Sequence, residues 1–112
     1  MRWYEKIISA LHSVAPGCVS HGGRMKSQRY FVWQEDGENT LLAGNRHAET
    51  AVTGTVDLFS KTEFDPWCDA LRGALDAAGI AWYLNSVQFE EDTGFWHWEW
   101  VFEVEDGYES DI

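Results

Sequence analysis

Basic residues are scarce in the second half of this 112-residue chain. Residues 62–112 hold one, Arg72, against thirteen Asp and Glu, while residues 1–61 hold seven Lys and Arg against six acids. The net charge is −11. So little basic surface argues against general nucleic-acid binding, which needs cations to neutralise phosphates, and against an anionic membrane surface. Cysteine is sparse too. Cys18 and Cys68 form no CxxC, which points away from a disulfide framework and towards free thiols in a reducing compartment. No apolar run approaches the roughly 20 residues of a membrane span. The opening "MRWYEKIISALHS" lacks the apolar region and cleavage site of a secretion signal. A soluble intracellular protein is expected. Internal repeats, linkers and low-complexity blocks are absent as well, and no strong catalytic motif is present.

What the chain does have is aromatic: 15% Phe, Trp and Tyr, with seven tryptophans. A length of 112 residues suits one domain and buries most of the unfolded surface, so neither metal nor disulfide is required for folding. The pattern predicts a single α+β domain over residues 1–105, followed by a flexible acidic tail over 106–112.

Two helices are legible. Over residues 2–14, Tyr4, Ile7, Ile8 and Leu11 fall on one helical face, and Pro16-Gly17 stops the run. In "DPWCDALRGALDAAG", Asp65 fits an N-cap, Pro66 the first helical position and Gly79 the position after the end. Trp67, Leu71, Ala74 and Ala78 form its apolar stripe. Residues 17–27 read as loop. "RYFVW", 29–33, reads as a strand that "QEDGEN" ends, with Asp36-Gly37 as a hairpin signal. "TLLA", 40–43, fits a short return strand. "GNRHAE", 44–49, breaks the pattern as a mobile segment, and residues 50–62 read as a long strand with a bend at Gly54. A final pair of strands covers 80–90 and 95–104. The order is α-β-β-β-α-β-β, an α+β sandwich with a mainly antiparallel sheet and two helices on one face.

Alternation places Trp96, Trp98, Trp100, Phe102 and Val104 on one face of the last strand, and Phe95, His97, Glu99, Val101 and Glu103 on the other. Tyr83, Val87 and Phe89 share a face of the preceding strand. An even number of loop residues around Asp92, Thr93 and Gly94 aligns the two apolar faces. The stripe is expected to face the helices as core. Two other readings stand beside this one: a stacking platform for a ligand, and a stripe that is core at one end and subunit interface at the other.

Candidate chemistry is thin. Cys18 and His21 have a C-x2-H spacing, but zinc sites need more ligands than one short pair supplies. Glu90, His97 and Glu99 could perform acid–base chemistry if they lined a pocket. "HGGRMKS" lacks a phosphate-loop pattern. Cys68 lies in a first helical turn, where a thiolate can be stabilised, yet nothing supplies a base and packing is expected. No catalytic residue, metal or cofactor is assigned.

"RYFVWQEDG", "LLAGNRHAETAVTGTVDLFSKTEFDPWCDALRGALDAAGIAW" and "VQFEEDTGFWHWEWVFEV", in that order over residues 28–104, resemble the tail-terminator, or tail-completion, proteins of long-tailed bacteriophages and prophages. The resemblance implies an α+β sandwich and a non-enzymatic role. It implies a ring, commonly a hexamer, that caps the polymerised tail tube and meets the head-side connector. It also implies assembly in the bacterial cytoplasm and residence in the virion tail. A head-to-tail ring would pair one subunit's basic segment with its neighbour's acidic one. The interface candidates are Arg24, Lys26, Arg29, Arg46 and His47 on one side, and Glu90, Glu91, Asp92 and Glu99 on the other. The main rival is a small acidic inhibitor or immunity-type protein that masks a basic target.

Overall fold

The computed structural model describes residues 2–40 and 50–106, with side chains over 2–37 and 51–106. Helix α1 (Trp3–Val14) is followed by strands β1 (Val19–His21), β2 (Arg29–Thr40) and β3 (Thr50–Ser60), helix α2 (Trp67–Ala77), and strands β4 (Ala81–Glu90) and β5 (Phe95–Glu105). The sheet order is β1-β2-β3-β5-β4, with only the β1–β2 pair parallel. This is the expected α+β class and element order.

Local chemistry explains the helices. The Glu5 carboxylate accepts the Arg2 backbone N–H at 2.8 Å, which satisfies one of the donors left open at a helix start. Ile7, Ala10 and Leu11 are the buried face of α1. Asp65 caps α2 by accepting the Trp67 N–H at 2.8 Å. At the other end Gly79 takes φ +73°. Its N–H bonds the Asp76 carbonyl and the Ile80 N–H bonds the Leu75 carbonyl, both at 3.0 Å. This is the double-bonded glycine cap of a helix C-terminus. Leu75 joins Leu71 in the buried stripe of α2.

Three local readings are corrected. Residues 17–27 were expected to be loop, yet Val19, Ser20 and His21 form β1 against Phe31, Val32 and Trp33. Asp36-Gly37 does not turn the chain. Strand β2 runs through it, and Asp36 is accommodated as a bulge between Glu35 and Gly37. A second bulge, between Leu84 and Ser86, changes the facing of β4. Tyr83 therefore lies opposite Val101, away from Val87 and Phe89, and Trp82 and Leu84 take the stripe-facing positions. Of the short strand expected at 40–43, Thr40 ends β2 and the rest lies outside the described residues, as do the mobile segment expected at 44–49 and the tail from 107. Asp106, assigned to that tail, is bonded by Arg2 at 2.9 and 3.1 Å.

The helices cover one face of the sheet. Phe31, Leu58 and Trp98 form one cross-strand row beneath them, and Trp33, Val56 and Trp100 the next. All six are buried, with Trp100 fully so. The tryptophan stripe thus faces core at Trp98 and Trp100, while Trp96 is only partly buried. Gly54 lies in this face for want of space. A Cβ there would meet the Gln34 carbonyl oxygen at 2.2 Å and the Phe102 ring at 2.6 Å.

Candidate functional site

The opposite face of the sheet carries a second, smaller apolar cluster of Tyr30, Val32 and Phe59, with Phe95 and Met25 packed beside it. The 22–28 segment returns across it from β1 to β2. Its Arg24 guanidinium lies 4.0 Å over the Phe59 ring and bonds Glu90 at 2.8 Å. Glu90 also accepts the Thr93 hydroxyl at 2.8 Å. Burial alone would raise the Glu90 pKa, but the bonds from Arg24 and Thr93 outweigh it and hold the carboxyl below its ordinary value.

His97 sits at the centre of this face, stacked on Phe59 with centroids 4.2 Å apart. Its Nε2 is 2.6 Å from Asp57 Oδ2 and its Nδ1 is 3.3 Å from Glu90 Oε2. Partial burial would lower the His97 pKa, but the Asp57 hydrogen bond and the two negative charges prevail and raise it. Glu99, beside it on β5, accepts from Asn85 Nδ2 at 3.2 Å. One ligand atom from each of Asp57, His97 and Glu99 falls within 4.8 Å of the others, among the described residues the only such set of three. An open groove beside them is lined by Gln34, Asp36 and Thr55.

The predicted interface residues therefore separate into groups. Arg24 and Glu90 meet within one subunit, and Glu99 lies near them. Lys26, Glu91 and Asp92 are exposed in the 22–28 segment and the β4–β5 turn. Arg29 is elsewhere, on the helix side: it lies 3.7 Å over the Trp67 ring and grips the buried Asp65 through Nε and one terminal nitrogen. Arg46 and His47 lie outside the described residues. Cys18 and His21 do not converge with further ligands among the described residues; His21 stacks on Trp33 and bonds Glu35 at 2.9 Å. Burial and the nearby Asp65 charge push the Cys68 thiol up to about 11, so it is a packing group.

Two features were missed in the sequence. Asp57 belongs to the His97 cluster, and alternation along "TVDLF" would have placed it on the outward face. The other is the open edge of the sheet. Leu84, Val87 and Phe89 face the helix side, but α2 meets β4 near its start, where the Trp82 indole N–H donates to Asp76 at 2.7 Å, and these three side chains are left partly uncovered. They are 38%, 46% and 48% exposed, and Tyr83 on the other face is 58% exposed. Phe89 packs on Trp96 with centroids 5.0 Å apart. Among the described residues β4 is therefore an edge strand of the sheet, and it presents an apolar margin.

No protein-family model matches the chain, and no curated protein matches it. Among solved structures, it is similar to a chain of the virion of a native gene transfer agent particle, at 11% identity and a TM-score of 0.54. The likeness covers 94% of this chain and 91% of that one, and it shows that the two share a fold.

Proposed function

We propose that this chain is a non-enzymatic virion protein of the tail-terminator, or tail-completion, kind, which forms a homo-oligomeric ring on the end of a phage or prophage tail tube. The observation that carries this reading is the near full-length likeness to a chain of a virion particle. The ordered motifs of residues 28–104 support it. So does the apolar margin of β4, because ring contacts need apolar burial that exposed ion pairs do not supply. In this reading the ring is a hexamer, its faces meet the tail-tube protein and the head-side connector, and assembly takes place in the host cytoplasm before the protein becomes part of the virion tail.

The test is the mass of the purified chain by light scattering, with electron microscopy of the same sample. A closed ring of about six copies of the 12.8 kDa chain is expected. Val87→Lys with Phe89→Lys should yield a folded monomer, because both side chains are half exposed and contribute little to the subunit core. A wild-type chain that stays monomeric at high concentration, and binds a basic protein instead, would favour the acidic-inhibitor reading.

A further inference from the structure

We propose that Asp57, His97 and Glu99 form a zinc-binding site on the outer face of the sheet, a property independent of ring formation. The three residues come from two paired central strands. Asp57 lies directly opposite Glu99, and Phe59 opposite His97. The spacing of the ligands is thereby set by sheet register, not by a loop. Their ligand atoms lie within 4.8 Å of one another. Zinc bonds of about 2.0–2.2 Å in a tetrahedral site place ligand atoms roughly 3.4 Å apart. The Asp57–His97 pair, 2.6 Å apart in the free chain, widens to reach that spacing, and the groove lined by Thr55, Asp57 and Glu99 lies beside the set.

The surroundings are those of a supported ligand set. A metal-bound histidine commonly offers its second ring nitrogen to a carboxylate, which fixes the ring and strengthens the donor. Here Glu90 stands 3.3 Å from Nδ1, and Glu90 is itself held by Arg24 and Thr93. Phe59 stacks on the imidazole and restrains its rotation. Asn85 holds Glu99. The one nearby guanidinium, Arg24, has its charge directed to Glu90. His97 Nε2 and Asp57 Oδ2 are 2.6 Å apart with a proton between them. Zinc takes the place of that proton, which leaves to solvent, and both atoms then direct lone pairs at the ion. One imidazole with two carboxylates selects a borderline transition ion over magnesium or calcium, which favour all-oxygen shells.

The experiment is calorimetric titration of the full chain with zinc chloride in chelator-free buffer, with magnesium chloride as the control. One equivalent of zinc should bind and magnesium should not. Asp57→Asn and Glu99→Gln should each abolish that binding, and Glu90→Gln should weaken it roughly 10–100-fold. Cys18→Ser should leave it unchanged. Histidine-resolved NMR provides a second readout in the wild-type chain, where the His97 ring nitrogens should shift and those of His12 and His21 should not. Absence of zinc binding overturns the proposal, as does binding that survives in Glu99→Gln or that shifts a different histidine.

Discussion

Asp65 concentrates much of the fold's polar chemistry. It is buried, accepts from Arg29 Nε and one Arg29 terminal nitrogen, accepts the Ser60 hydroxyl at 2.5 Å, and caps α2 through the Trp67 N–H. Burial would raise its pKa, but these donors outweigh burial and lower it. A carboxyl whose folded pKa lies below its unfolded one stabilises the fold above the unfolded value and loses that contribution as pH falls through the folded value. Asp65→Asn should therefore cost about 2 kcal/mol near neutral pH, the scale of hydrogen bonds to a charged group. In urea unfolding the gap to wild type should narrow on going to about pH 3; a gap that is constant with pH would show that the ionised form is not what matters. Gly54 gives a second test at this scale. Gly54→Ala pushes a methyl group against a backbone oxygen and a buried ring, so thermal unfolding should show a loss of about 1–3 kcal/mol, the usual cost of overpacking.

Elements were legible where their signals were local. The cap at Asp65, Pro66 and Gly79 bracketed α2 because each residue acts on backbone within a few positions of itself. Gly79→Ala should cost about 1 kcal/mol, since alanine must adopt a positive φ; a melting temperature equal to wild type would mean that the C-terminal cap is dispensable. The bulges at Asp36 and Asn85 were not legible. Whether a strand absorbs an extra residue depends on the partner strands, which lie far away in sequence. The same limit hid β1, a three-residue strand that exists only because β2 binds it, and the outer-face cluster, where Asp57 meets His97 across 40 positions. The face of β5 was readable by alternation. How far the helices would reach over β4 was not, because it depends on the whole layer.

At the scale of the molecule, charge acts between copies. Arg2, Arg24, Arg29 and Arg72 all have carboxylate partners within the subunit. A net charge of −11 makes copies repel, and in the proposed ring the apolar margin of β4 must work against that repulsion. Raising salt should promote association, since the screening length shrinks from about 30 Å at 0.01 M to about 3 Å at 1 M. Sedimentation velocity across that range measures it. Dissociation at high salt would instead mean that contacts such as Lys26 to Glu91 or Asp92 of a neighbour dominate.

The margin of β4 has a cost for the unassembled chain. Its exposed run, "AWYLNSVQF", contains no lysine and no proline, the residues with which sheet proteins usually discourage stray strand pairing. Only the bulge at Asn85 and the acids that follow Phe89 interrupt it. In the proposed ring, a subunit synthesised ahead of its partners would be a template for misdirected growth, and the surplus of acid in the second half of the chain would work as a delay, holding newly made copies apart until the correct neighbour covers the strand.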